Sequence, residues 1–400
     1  MSMLPTPPHP VYLDHSATTP TDPRVLEAML PYFNEIYGNP SSSHSFGRKA
    51  KNAIEKARGT LAKLLNAKRQ ELIFTACGTE SDNLALRGVA AAAGKPVHLY
   101  TARTEHHAVS HTADQWAAQH PDAAVTWLPV TTEGRITAEA LEHALVRCRP
   151  ETVPLVSIMY ANNEVGTIQP IAELAAIAHA HGALFHTDAV QAAGQLSLDV
   201  QALGVDLLSL SAHKFYGPKG VGLLYVREGV ALAPAQTGGG QEDNRRAGTH
   251  NVPLIIGMAR ALELAYTELD ERVAHYRHMR DRLIDGILAA VPGARLSGAG
   301  KADRLPCHAS FIVESIDVNM LLMHLDMAGV AASSGSACNT GSPQPSDVLT
   351  AMGYPEALAL GGLRLTVGRG TTDADINHVL AVLPEVVQRV RTVREVQTVR

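Results

Sequence analysis

VDLLSLSAHKFYGPKGVGLLYV, residues 205–226, sets two apolar runs on either side of a polar turn. Runs this continuous predict strands buried on both faces. Others lie upstream: ELIFT (71–75), VHLYT (97–101), AVTWLPV (124–130), VPLVSIMY (153–160) and ALFHTD (183–188). Alanine-rich helical stretches or turns separate them. That alternation predicts a mostly parallel sheet in an α/β layer fold. Ligands of open parallel sheets bind at the carboxyl ends of the strands. Four predicted strand ends carry unusual chemistry: TACGTESDN (75–83), TEHHAVSH (104–111), TDAVQ (187–191) and SAHKFYGPKG (211–220). Such a sheet would bring all four to one crevice.

The 400-residue chain is long for one core, since cores stop growing near ~250–300 residues. SSHSFGRKAKNAIEKARGTLAKLLNA (42–67) reads as an amphipathic helix, and 252–290 as one or two long helices. A region of mixed type follows, with strand patterns at FIVES and GLRLTVG (362–368), a helix near 317–328 and a final helix from about 372. The domain change is placed near residue 257. A large α/β domain would span 21–256, and a smaller α+β domain would combine 1–20 with 257–400.

Composition is 46% hydrophobic and 18% charged, with a net charge of −5. This is ample material for a core and no basic field to recruit nucleic acid. Cys77, Cys148, Cys307 and Cys338 are widely spaced with no CxxC. That is no disulfide framework, and a reducing cytoplasmic setting is expected. No apolar run approaches the roughly 20 residues of a membrane span. The proline-rich start MSMLPTPPHP lacks the signal-peptide pattern.

Each loop has a bland reading and a chemical one. A loop lysine normally lies in water. Lys214 follows a buried strand, where desolvation lowers an amine's pKa and frees it for Schiff-base chemistry. Ser211 and His213 can donate hydrogen bonds to an anion such as phosphate. The rival Lys219, between Pro218 and Gly220, reads as exposed. Asp188 ends another buried strand, as a helix N-cap or as the partner of a cofactor cation. An aspartate on a pyridinium nitrogen, with a lysine Schiff base at the other end, is what pyridoxal phosphate requires. Gly78, Thr79 and Ser81 suit a phosphate at a helix N-terminus, or an ordinary capped start.

His107 and His111 are spaced like half a zinc site but lack a second pair of ligands, so a solvated helix face is expected and no metal. His106 lies nearest the strand end, where it could stack on a flat cofactor or move protons. TGGGQEDNRRAGTHN (237–251) is a flexible linker, or a loop whose Thr249 meets an anion on a neighbouring subunit. ANNEVG (161–166) puts side-chain amides at a strand end. Arg364, inside a strand pattern, needs a partner, and bidentate capture of a substrate carboxylate is one. Arg369 is its exposed-looking rival. SSGSACNTGSPQPS (333–346) places Cys338 among small residues, although free cysteines are usually buried.

These motifs, with YLDHSATTP (12–20), GNPSSSHSFGR (38–48), NNEVG (162–166), RRAGT (245–249) and SSGSAC (333–338), fall in a single order. In that order the chain resembles the cysteine desulfurases of the NifS/IscS type, in the class V aminotransferase group, from about residue 11 to 375. The resemblance implies the aspartate-aminotransferase fold of the pyridoxal-phosphate transferases. It implies that Lys214 forms the Schiff base with pyridoxal phosphate, that Asp188 pairs with the ring nitrogen, and that Gln191 meets the ring oxygen. His106 would stack on the ring and shuttle protons. Gly78, Thr79, Ser211 and His213 would hold the phosphate, with Thr249 donated by the other subunit of a homodimer. Asn163 and Arg364 would grip the carboxylate of L-cysteine. Cys338 would attack the substrate sulfur, leaving alanine and an enzyme persulfide for a sulfur acceptor such as an iron–sulfur scaffold. A selenocysteine lyase or another class V aminotransferase is the alternative. No Lys, Arg or His lies between Ser333 and Ser346 to lower the thiol pKa, so activation is expected from His106 or the substrate complex.

Overall fold

The computed structural model describes residues 9–120, 124–334 and 344–398. After a two-residue strand β1 (Val11–Tyr12), the predicted apolar runs form one sheet. They are β2 (Leu72–Thr75), β3 (Val97–Thr101), β4 (Ala124–Trp127), β5 (Val153–Ser157), β6 (Leu184–Asp188), β7 (Leu207–Ser211) and β8 (Gly222–Val226). The order is β2-β8-β7-β6-β5-β3-β4. Strands β4, β3, β5, β6 and β7 run parallel, as expected. Strand β8 is antiparallel to both neighbours. The link from β7 is the turn 212–221, too short for the crossover that a parallel partner needs.

Side chains alternate between two apolar layers, which is why the runs are continuous. Ile73, Leu207 and Leu224 face a layer built by Leu84, Val89, Val109 and Trp116. Phe74, Leu208 and Leu223 face the other, with Leu61, Leu65, Leu174 and Leu262. The sheet is therefore covered on both faces by helices.

A second core forms on β9 (Ala294–Leu296), β10 (His308–Val313) and β12 (Gly362–Thr366), an antiparallel sheet of order β12-β10-β9. Between the last two in sequence lies β11 (Val330–Ala331), which pairs in parallel with β1. Leu283 and Ile287 of the helix Leu269–Ala290 and Val379 and Leu383 of the helix Asp373–Thr398 pack here, together with Val11 and Leu13. The preceding helix, Val252–Thr267, buries Ile255, Met258 and Leu262 in the first core. The packing thus passes from the first core to the second between this helix and the helix Leu269–Ala290. Gly257 lies mid-helix, where a Cβ would sit 2.6 Å from Met29 Sδ. It permits close packing and marks no linker. No helix among the described residues is long and apolar enough to cross a membrane.

The 237–251 loop is tied down. Arg58, in the helix Ser45–Leu65, donates to Glu242 through Nη1 at 2.9 Å and Nη2 at 2.8 Å. Phe74 N and His250 also bond Glu242. Burial opposes the Glu242 charge, but the hydrogen bonds from His250 and Arg58 prevail and hold its pKa down to about 2. Glu242, Asp243 and Asn244 follow one another at φ of 48°, 54° and 63°, a region that Asp and Asn tolerate better than Glu. Arg58→Ala strands the Glu242 carboxylate in the interior and is expected to cost about 3–5 kcal/mol in urea unfolding. A loss below about 1 kcal/mol would show that the pair does not anchor the loop.

Candidate active site

The carboxyl ends of the parallel strands open on a cavity of about 180 Å³. Helix Gly78–Ala92 begins just past β2, and its N-cap position, Cys77, makes no side-chain cap bond. The structure thus departs from the Thr or Ser cap of the bland reading. A Cβ on Gly78 would lie 2.9 Å from Val190 Cγ2 and 3.4 Å from Ser211 Cβ, so glycine lets the backbone close on the cavity wall. Ser211 Oγ, at the end of β7, is buried and has no hydrogen-bond partner among the described residues. An uncapped helix start and an orphaned hydroxyl on one cavity form a place for an anion. His213 also lines this cavity and shares a hydrogen bond with Thr18 Oγ1 at 3.1 Å. Burial, then Lys214 and Lys219, push its pKa down to about 4, so it meets an anion as a neutral ring. Thr249 is exposed and lines neither this cavity nor the outer one described below.

Asp188 ends β6, and one of its oxygens accepts from Val190 N at 2.8 Å. Burial raises its pKa, while His106 and Lys214 pull it back. Lys214 follows β7 in one turn of 3₁₀ helix. Its ammonium donates to the backbone oxygens of Ser16 and, at 2.9 Å, Ala17. Burial, then the Arg364 charge, bring its pKa down to about 8 against the opposing pull of Asp188 and Asp14. Lys219 is exposed, as read. Gln191 donates to the same Ser16 oxygen at 2.9 Å.

His106 caps the helix His107–Gln119, accepting from Ala108 N through Nδ1 at 3.1 Å. An accepting Nδ1 leaves the neutral ring's proton on Nε2. Burial lowers the His106 pKa, partly offset by Asp188. His107 and His111 stack on each other with ring centres 4.2 Å apart, and His107 reaches Asp347 at 3.5 Å. Among the described residues no group of His, Cys, Asp or Glu could hold a metal ion.

A second, outer cavity of about 720 Å³ shares Lys214, His106, Gln191 and Asn163 with the inner one or its rim. Arg364, from β12, forms part of its wall. The arginine bonds Asn163 O through Nη1 at 2.9 Å and Asp14 through Nη2 at 2.8 Å. Its rival Arg369 pairs instead with Asp22, away from both cavities. Cys338 lies outside the described residues. Ser333 and Asp347, on either side of its segment, both line the outer cavity.

Sequence reasoning did not find Asp14, Ser16 and Ala17 as neighbours of Arg364 and Lys214. It also missed two fully buried carboxyls, Asp82 and Glu105, whose pKa values burial pushes well up. Glu105 sits just past β3, and Asp82 lies within the helix that follows β2.

The profile of the family Aminotransferase class-V matches residues 11–379. The chain belongs to this family. The cysteine desulfurase IscS of Dictyoglomus turgidum is 46% identical over 387 residues, 96% of each chain. The cysteine desulfurase IscS of Methanosarcina thermophila is 48% identical over 382 residues, 95% of this chain and 93% of the relative. A solved NifS-like protein superposes with a TM-score of 0.87 at 37% identity, covering 95% of this chain and all of that one. Class-V enzymes depend on pyridoxal phosphate. The inner cavity fits it, with the orphaned Ser211 hydroxyl and the uncapped helix start for a phosphate, and the buried Asp188 for a ring N–H.

A neutral amine is what captures an aldehyde. The neutral fraction of Lys214 rises with pH, so the cofactor-free protein is expected to take up pyridoxal phosphate faster as pH rises through about 8. Uptake rates followed by absorbance check this. A midpoint near the ordinary lysine value of ~10.4 would contradict the desolvation of Lys214.

Proposed function

We propose that the chain is a cysteine desulfurase, which takes sulfur from L-cysteine, releases L-alanine and leaves a persulfide on Cys338. One observation carries the reading. Lys214, His106, Asn163 and Arg364 wall the outer cavity, and so do both flanks of the Cys338 segment, Ser333 and Asp347. The names of the relatives support the same activity.

Bound pyridoxal phosphate supplies an electron sink for bonds at the substrate's α-carbon. The chain's residues supply the rest. Gly78, Thr79, Ser211 and His213 hold the phosphate, joined by Thr249 from a second copy. Asp188 holds the ring nitrogen, since a buried carboxylate is stable only beside a cation or donors. Gln191 would meet the ring oxygen, and His106 would lie beside the ring. Asn163 and Arg364 hold the substrate carboxylate. Lys214, whose pKa burial already lowers in the free chain, takes up and returns a proton at Nζ. His106 offers one from Nε2. Cys338 forms an S–S bond to the substrate sulfur as the C–S bond breaks. The electron pair of that bond stays on carbon, which gains a proton to become the alanine methyl group.

A homodimer belongs to the same reading. Leu30, Phe33, Tyr37 and Phe46 are exposed apolar side chains near the N-terminus, and Thr249 lies outside the cavity of its own chain. So does a sulfur acceptor such as an iron–sulfur scaffold, which the relatives' IscS name supports. A cytoplasmic setting is supported by Cys77, Cys148 and Cys307, all free thiols. Two domains, one for each core, complete the proposal.

L-Alanine and sulfide are the products to measure, from L-cysteine and a thiol reductant. Cys338→Ala is expected to lose roughly 100-fold or more in both while keeping its cofactor. Sulfide release by Cys338→Ala at the wild-type rate would contradict the mechanism. Alanine from selenocysteine alone, or amino transfer to a keto acid, would point to another class-V activity.

A further inference from the structure

We propose that Asp14 is a positioning residue for substrate: it holds the Arg364 guanidinium so that its Nε–H is offered to the substrate carboxylate. The inference rests on the reading of Arg364 as the carboxylate-binding residue.

Asp14 and Arg364 lie 350 positions apart in the chain. Two backbone links join them. Strand β1 runs beside β11, and Asp14 itself bridges to Thr366, two residues beyond Arg364. Tyr12 Oη steadies the Asp14 backbone by donating to its oxygen at 3.0 Å. The root of the arginine is fixed as well. Arg364 N donates to Ser333 O at 2.7 Å, and Ser333 N to Arg364 O at 3.2 Å.

The tip is held at two of its three nitrogens. Nη1 donates to Asn163 O at 2.9 Å and Nη2 to Asp14 Oδ1 at 2.8 Å. Nε is buried and has no partner among the described residues. The Arg364 side chain is only 7% exposed, so bulk water does not satisfy that donor. A buried donor on a charged group left unpaired is costly and calls for an explanation, and an incoming anion is one that satisfies it. The guanidinium is planar, so fixing two nitrogens also fixes the direction of the third N–H. Arg364 belongs to the cavity wall that includes Lys214 and His106. A carboxylate on an amino acid bound there completes the set.

Asp14 also supplies charge. Its carboxylate spares Arg364 from being a lone buried cation in the free enzyme. Orientation and charge can be separated. Asp14→Asn keeps the Oδ1 acceptor and removes the charge, whereas Asp14→Ala removes both.

The test compares the holoenzyme and its Asp14→Ala, Asp14→Asn and Arg364→Ala variants. KM and kcat are measured for L-cysteine, and the Kd of L-alanine by calorimetry. Loss of one charge-assisted hydrogen bond predicts that Asp14→Ala raises KM and Kd about tenfold or more, with kcat changed much less. Asp14→Asn is expected to recover most of that loss. Unchanged KM and Kd in Asp14→Ala would overturn the proposal. So would an Asp14→Asn variant as impaired as Asp14→Ala, since charge or folding would then be the cause. Thermal unfolding checks each variant, and Asp14→Ser, too short to reach Nη2, replaces Asp14→Ala if that one does not fold. Arg364→Ala tests the underlying reading by itself. If it leaves the L-alanine Kd unchanged, Arg364 does not bind the carboxylate. If it weakens binding while Asp14→Ala does not, only the role of Asp14 fails.

Discussion

An ammonium group taken out of water must find oxygen or give up its proton. Lys214 is carried to the end of a strand buried on both faces, and there it meets the backbone oxygens of Ser16 and Ala17. Two neutral carbonyls compensate only part of what water would provide. The amine therefore sits near the point of losing its proton, and the site depends on that balance. Asp188 stabilises the charged form and Arg364 opposes it. The same burial leaves Ser211 Oγ without a partner among the described residues, favours the neutral His213 ring and raises the Asp188 pKa.

The segment 11–19 makes the arrangement possible. Val11 and Leu13 are buried in the second core. Ser16 and Ala17 accept from Lys214, which stands on the first core's sheet. Thr19 Oγ1 donates to His213 O and accepts from Tyr216 N. Asp14, from the same segment, holds Arg364. One stretch of chain thus sets the amine from one core and the guanidinium from the other at a single cavity.

The sheet was legible because its strands are buried on both faces, which turns alternating layers into unbroken apolar runs. Where a run overshot, the cause is local. AVTWLPV predicts a strand through 130, but β4 stops at Trp127, ahead of Pro129, which has no N–H for a ladder. Lys214, Asp188, His106, Gly78 and Ser211 were legible as residues of unusual type at strand ends, and one cavity contains them all. The expected domain change near 257 falls inside the helix Val252–Thr267, whose Ile255, Met258 and Leu262 pack in the first core. The partner of Arg364 was out of reach. Nothing local to GLRLTVG points to an aspartate near the start of the chain, since the contact depends on the pairing of β1 with β11 and of Asp14 with Thr366. The pKa of about 8 for Lys214 likewise required the positions of Arg364, Asp14 and two carbonyls. Sequence supplied only its direction.

The central claim is that sulfur leaves L-cysteine for Cys338. The most direct measurement is mass spectrometry of the protein after a single turnover with L-cysteine, in the wild type and in Cys338→Ala. One added sulfur atom is expected on the peptide containing Cys338, and none in the variant. Consumption of L-cysteine with cofactor bound and no sulfur on that peptide would contradict it.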